Sequence, residues 1–506
     1  MFLNNSAFRV MFVLISILVL SGLNSSAQLT YRSKITGGNW NQTSTWESTL
    51  IPGVTAWANA TTVPTASNSI TTTIQAGSTV TITASTDGRQ ITVLGTLIIN
   101  QSVNFSVSDA FAVDDLTSSG TLNVNGTLQN PGGTFVLTGT TTVGATGVIN
   151  NTTPGTIQAN SPSTTTINGT VNNTGTITNA SGSSVLVNGV LTNSGTITST
   201  ATNLQFNSGG SYVHQYTTTA GSIPTATWND GSICEFRGYT TSTTIAGNLN
   251  QSIYTFKWNC ANQTSAIPVT SSTTAIRGDF IMAASGTGSI SLSAANFTVN
   301  GDYNQSGGTA NFNIASSGGV TTMNVLGNYV QSGGTLNLAT ATVGSVLNVA
   351  KNFTMSGGTL QKTGTGTGNV FFNGTTTQVF TKALPPTAVI GGQAINFTIN
   401  NAAIVDFNTS VLDGTTGAFN LLSGGTLITA NTGGISASGA TGSIQNTGAR
   451  SYSTGASYTY TGAGLQAAGT GLPAIVNNLT VNKTSAGVAL TPAATLTVNG
   501  TLTLTM

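Results

Sequence analysis

The sequence predicts an all-β chain: a parallel β-helix, or β-solenoid, of short strands with Gly and Asn corners and an N-terminal cap. Three observations predict it. Ser-Gly-Gly-Thr returns at Ser306, Ser332 and Ser356, each time three positions after an aromatic (Tyr303, Tyr329, Phe353), at intervals of 26 and 24. Simpler units recur upstream, where Gly169-Thr170-Val171 and Gly175-Thr176-Ile177 return together, at one shared offset, as Gly189-Val190-Leu191 and Gly195-Thr196-Ile197. The composition fits, with 5% charged residues, 62 Gly and 11 Pro in 506 residues, against roughly 25% charged residues in ordinary soluble domains. Repetition at this period marks a solenoid, whose units bury their apolar side chains only by stacking on their neighbours. Thr, Ser and Asn then supply the polar surface, and the wealth of β-branched residues in alternation argues against disorder.

Residues 1–27 read as a secretory signal peptide: a short segment ending at Arg9, an apolar run from Val10 to Leu20, and Ser25-Ser26-Ala27 before the cleavage point. That apolar run is too short to span a bilayer. Loss of Arg9 leaves 11 basic and 11 acidic residues, so the mature chain from Gln28 is formally neutral. Without clustered Lys and Arg, nucleic acid is excluded as a partner. No later segment is apolar enough to cross a membrane as a helix, and the sequence leaves the oligomeric state open.

Residues 28–94 hold Trp40, Trp46 and Trp57 and are expected to cap the first coil, whose apolar cross-section needs covering. A carbohydrate-stacking platform is the alternative use of those rings. Residues 95–210 carry repeats of about 20–25 residues. Their Asn-Gly pairs at Asn125, Asn168 and Asn188 read as corners, since Gly and Asn tolerate positive φ. Residues 211–268 break the pattern, with the only His (His214), Cys234, Cys260, Trp228 and Trp258. Over 269–430 the repeats resume with a period of about 23–26 residues. The last stretch, 431–506, is a further module that stops after the strand that elsewhere precedes the Ser-Gly-Gly-Thr turn. A longer natural product with more coils and a C-terminal domain is expected. At about 24 residues per coil and ~4.8 Å per coil, the mature chain could stack into a rod on the order of 100 Å long.

Catalytic chemistry is sparse. Asp109, Asp114 and Asp115 form the one local carboxylate cluster, which a polysaccharide-cleaving β-helix could use as acid and base or for Ca²⁺; solvated corner residues are the plainer reading. A lone His214 cannot build a multi-His metal site, and neither a phosphate-binding loop nor an HExxH helix occurs, so no cofactor, metal ligand or catalytic residue is assigned. Cys234 and Cys260 are separated by the same interval as Tyr303 and Tyr329. That spacing places them on neighbouring rungs, and an exported chain is then expected to join them as a disulfide, the alternative being two buried free thiols. Arg277-Gly278-Asp279 aligns with Gly301-Asp302-Tyr303 and Gly327-Asn328-Tyr329, so the Arg-Gly-Asp match is read as a corner rather than a receptor motif. Thr-x-Thr pairs such as Thr79 to Thr81 could form an ice-binding plane only in strict register, which the unequal repeat intervals do not show.

Thr36-Gly37-Gly38-Asn39-Trp40, Thr45-Trp46, Ile74-Gln75-Ala76-Gly77 and Val80-Thr81-Ile82 resemble the N-terminal region of large secreted surface proteins of Bacteroidota. The block Ile223 to Trp228, Gly231 to Cys234 and Trp258-Asn259-Cys260 resembles a segment common in them, and the repeats also resemble those of filamentous-haemagglutinin adhesins. The resemblance implies an exported solenoid that often ends in a sorting domain for type IX secretion, which this sequence lacks, and it supplies no catalytic residues. The expected function is therefore a non-enzymatic adhesin or stalk, extracellular or at the cell surface, with surface glycans or other cell-surface components as partners. A carbohydrate-active lyase or hydrolase is the rival.

Overall fold

Period-2 alternation of Thr or Asn with Val, Ile, Leu or Phe gives strands of about four residues, and Gly, Asn and Ser give the corners between them. The computed structural model describes residues 28–50, 56–107, 114–269, 275–292, 296–307, 311–315, 320–340, 342–483, 490–491 and 495–505. The expected signal peptide and Asp109 lie outside these residues. The chain divides into two compact units that meet in sequence at Val185 and Leu186. Both are parallel β-solenoids.

In the first unit each turn contributes three strands. Asp114–Ser118, Thr121–Val124 and Thr127–Asn130 make one turn, and Thr134–Leu137, Thr140–Val143 and Val148–Asn151 the next. Every strand pairs in parallel with its counterpart one turn on, so the turn forms three sheets around one interior. Within Thr121–Val124, Leu122 and Val124 are buried while Thr121 and Asn123 face outward. At the third corner Asn130, Asn151 and Asn173 turn inward, and each amide donates to the next, Asn130 Nδ2 to Asn151 Oδ1 at 2.8 Å and Asn151 Nδ2 to Asn173 Oδ1 at 2.7 Å. A buried amide stays satisfied there because its neighbour is another amide.

The tryptophan-bearing N-terminal segment is built differently from the turns that follow it. Leu29–Ser33 pairs antiparallel with Trp46–Thr49 and in parallel with Ser69–Ile74. Trp40 and Trp46 are fully buried, meet edge to face at 4.9 Å, and Trp40 packs on Phe105 at 5.0 Å. Their indole N–H groups donate to Pro64 O and Trp40 O, so the rings fill this end of the coil without stranding a donor.

The second unit uses the same plan with larger interior side chains. Phe256, Phe280, Tyr303, Tyr329, Phe353 and Phe380 occupy one register position on successive turns. Their rings stack with centroids 4.6 to 5.8 Å apart. Two positions on, the partner depends on the ring: Tyr303 hydroxyl donates to Gln305 Oε1 at 2.9 Å and Tyr329 to Gln331 at 2.7 Å, whereas Phe280 and Phe353 are followed at the same offset by Met282 and Met355. On those two turns the ring has no hydroxyl and its buried neighbour no amide to satisfy, whereas the residues two positions after Phe256 and Phe380, Trp258 and Lys382, find partners elsewhere, in Gln263 and Asp413. The Ser-Gly-Gly-Thr turn that follows requires its glycines. Gly334 and Gly358 have φ of 67° and 79°, and a Cβ at Gly334 would lie 2.0 Å from Gly307 O of the preceding turn.

Residues 211–268, expected as an insert, are continuous with this plan. Ser211–His214, Ile233–Phe236, Thr255–Asn259 and Phe280–Ala284 pair successively in parallel; the segment looked irregular because its corners carry aromatics and its turns vary in length.

Tyr329→Phe should lower stability by about 1–3 kcal/mol, because it orphans the buried Gln331 carbonyl. Gln331→Met removes the orphaned carbonyl together with the Nε2 donor to Thr359 O at 3.0 Å, so the double variant should lose less than the sum of the two single losses, as measured by urea unfolding of all three. Additive losses in the double variant would contradict the pairing.

Candidate functional site

The residues with chemical potential gather mainly between Tyr212 and Arg277. His214 ends the strand Ser211–His214 at an inward position and is fully buried among Tyr216, Phe236 and Tyr239, with ring centroids at 4.6, 4.9 and 5.3 Å. Tyr212 hydroxyl lies 3.2 Å from Nδ1 and Ala220 O lies 2.8 Å from Nε2. The tautomer that satisfies both carries its proton on Nε2 and accepts from Tyr212 at Nδ1. Burial holds the imidazole down at about 4, against the partial compensation of the Ala220 carbonyl. It is a neutral strut tying a loop carbonyl to the core.

Cys234 and Cys260 are both buried free thiols. The expected cross-rung disulfide is corrected by register: Cys234 sits opposite Phe256, and Phe236 opposite Trp258. The turn that starts at Cys234 is complete at Phe256. Cys260 therefore lies four positions too far along, about 13 Å in an extended strand and beyond the reach of a disulfide. Burial, with the Glu235 charge, pushes the Cys260 thiol up to about 12 and Cys234 higher still. Neither is poised as a nucleophile.

Glu235 points the other way from the same strand. Arg237 reaches it at 2.9 Å and Lys257 at 3.5 Å, and Asn259 donates at 2.9 Å. Burial opposes its ionisation, but the hydrogen bonds from Arg237 and Asn259 and the two positive charges outweigh burial and hold the carboxyl below its usual range.

Asp114 and Asp115 do not converge. Asp114 is exposed at the start of its strand, Asp115 is fully buried in a register shift between Asp114 and Leu116, and its carboxylate occupies the space a Cβ on Gly133 would fill. Two carboxylates on opposite faces of one strand cannot bracket a glycosidic bond.

Arg277 is pinned by Asp230 at 2.7 Å, by the Trp228 carbonyl and by the face of Tyr254 at 5.4 Å. Asp279 accepts from the Asp302 N–H at 2.8 Å, Asp302 from Asn328 N–H at 2.7 Å, and Asn328 from Asn352 N–H at 3.2 Å. The Gly-Asp/Asn-aromatic corner is a hydrogen-bonded column, and Arg-Gly-Asp belongs to it.

Three buried lysines were not singled out from the sequence. Lys362 Nζ donates to Gly364 O at 2.9 Å and Gly366 O at 2.7 Å, Lys382 pairs with Asp413 at 2.6 Å, and Lys483 donates to Gln466. Lys362 had a signal: it falls on the inward phase of Gly358–Lys362. Burial lowers both Lys362 and Lys483. Trp57, half-buried, has its ring face covered by the Arg32 guanidinium at 4.3 Å.

No family model matches this chain, and neither a curated protein nor a solved structure matches it. Among the described residues, no three His, Cys, Asp or Glu side chains gather as a metal-binding group, and no helix is long and apolar enough to cross a membrane.

His214 binds its proton more weakly folded than unfolded, so its stabilising effect is full above its unfolded value near 6.5 and is lost as pH falls toward 4. The loss should reach roughly 3 kcal/mol. Urea midpoints across that window should fall less steeply for His214→Gln than for the parent; parallel curves would contradict a buried neutral imidazole. A thiol count should find two reactive thiols after unfolding without reductant and none in the native protein.

Proposed function

We propose that the chain is an exported, non-enzymatic β-solenoid that serves as a cell-surface adhesin or structural stalk. The observation that carries the reading is the division of labour between faces. In the strands of the repeats, aliphatic and aromatic side chains fill most inward positions, and the outward positions are mostly Thr, Asn and Gln. A surface built this way offers many similar weak contacts, and avidity along it comes from effective concentration rather than from one indispensable residue. Surface glycans and other hydroxyl-rich cell-surface components are the partners that such faces fit. Export rests on the leader pattern of residues 1–27, and display on the resemblance to Bacteroidota surface proteins.

The rival, a polysaccharide-cleaving β-helix, would use the Asp109 to Asp115 region or the aromatic segment 211–268, and the placement of Asp114 and Asp115 on opposite faces supports the non-enzymatic reading. Turnover of polysaccharide that disappears in Asp114→Asn would overturn it.

Tyr303 is in register with Tyr329, and Tyr329 with Phe353, so deleting residues 303–328 or 303–352 removes one or two turns and leaves the ladder in register. Retention of the protein on a glycan-coated surface under flow should fall stepwise from parent to one-turn to two-turn deletion. Full loss of retention from a single outward substitution would show a discrete site instead.

A further inference from the structure

One outward face of the first unit is far more regular than the varying repeat length allows one to expect. Thr79, Thr96, Thr121, Thr140 and Thr164 are register partners on five successive turns. The intervals between them are unequal, shortest from Thr79 to Thr96 and longest from Thr96 to Thr121. None of these four pairings contains a register shift, because the corners absorb the extra residues. Two positions along each strand lies a second column, Thr81, Ile98, Asn123, Thr142 and Thr166. Three of the five turns are therefore complete Thr-x-Thr pairs, and the other two keep Thr in the first column. All ten side chains are exposed or half-exposed, and none is ionisable or aromatic.

Backbone pairing sets the spacing between turns at about 4.8 Å, and alternate residues along a strand repeat at about 6.6 Å. These lie close to the oxygen repeats on the principal faces of hexagonal ice. Threonine is the suitable residue for such a grid. Its branched Cβ restricts χ1, so the hydroxyl and methyl are held in place with little rotamer entropy left to lose. Behind the columns, Val80, Leu97, Leu122, Thr141 and Thr165 are buried at one register position and Ile82, Ile99, Val124, Val143 and Ile167 at the next, so packed core backs the face.

The chemistry of the face selects among occupants. A face with no charge complements a neutral surface rather than a nucleic acid or an acidic polymer. Crystalline polysaccharides are gripped by aromatic rings that stack on sugar faces, and these columns have none. A grid of alternating methyls and hydroxyls instead orders water. We propose that this face, formed by Thr79–Ile82, Thr96–Ile99, Thr121–Val124, Thr140–Val143 and Thr164–Ile167, binds the surface of ice through a layer of ordered water. The inference concerns this one face and does not rest on the adhesive reading of the whole chain, which the turn deletions test in the other unit.

The test uses the full chain in assays of ice recrystallisation and of ice-crystal shaping. Thr140→Lys/Thr164→Lys places charge on the last two turns of the grid, both of them complete Thr-x-Thr pairs, and Thr156→Lys/Thr176→Lys makes the same change at register partners on a neighbouring sheet. Far-UV circular dichroism and melting temperature confirm that both variants are folded. The parent should inhibit recrystallisation, and the 140/164 variant should need at least about tenfold more protein for the same effect because the contacts act together, with the 156/176 variant unchanged. A parent without effect on ice overturns the proposal, as does equal loss in the two variants. Binding of the parent to powdered cellulose or chitin, sensitive to the 140/164 change and without any effect on ice, overturns it in favour of a polysaccharide surface.

Discussion

Parallel backbone pairing from one turn to the next is the constraint on which everything else in this protein depends. It fixes the distance between equivalent residues at about 4.8 Å and leaves each side chain with the same two neighbours, its counterparts above and below. A residue type survives in a column only if it packs well against its own kind. Rings stack, amides donate to amides, and corner carboxamides and carboxylates accept from the next turn's backbone, as seen for Tyr303 on Tyr329, Asn130 on Asn151 and Asp302 on Asn328. Charge fails that requirement, since like charges at this spacing repel. That accounts for a chain of 506 residues with 5% charged. Where ionic groups do occur inside, each has its own partner, as Lys382 has Asp413.

The columns are also where local chemistry compensates. The exchange of Tyr-x-Gln for Phe-x-Met between turns keeps a buried acceptor only where a hydroxyl is present to serve it. Unsatisfied buried polar atoms cost more than the hydrogen bond itself contributes, so the two positions change together. On the four turns from Phe280 to Phe353 the two inward positions thus behave as a pair rather than as independent sites.

The repeat was legible where one residue type recurs at one register position. Ser-Gly-Gly-Thr and its preceding aromatic revealed the solenoid, and the alignment of Gly278-Asp279 with Gly301-Asp302 identified the corner that the structure shows as a hydrogen-bonded column. Register across turns of unequal length was not legible. Spacing alone put Cys234 beside Cys260, but the turn there is shorter and brings Phe256 opposite Cys234 instead. The same blindness hid the threonine columns, whose intervals vary while their register does not. Buried lysines escaped notice because charge at an inward position is rare, and only the phase of its strand marks Lys362. No composition rule would have shown His214 as a strut, since its partners Tyr212, Ala220 and Tyr239 include a loop carbonyl and a residue of a neighbouring turn.

Register is the central claim, and cross-linking measures it most directly. In a chain whose two native cysteines are replaced by alanine, Asn304→Cys with Val330→Cys places outward cysteines on adjacent turns at the same register position, inside the Cα range that a disulfide requires. Asn304→Cys with Thr354→Cys places them two turns apart, roughly 10 Å and outside it. Mild oxidation should cross-link the first pair within each molecule and leave the second free. Failure of the adjacent pair, or preferential closure of the distant one, would contradict the stacked parallel register from which the rest of the account follows.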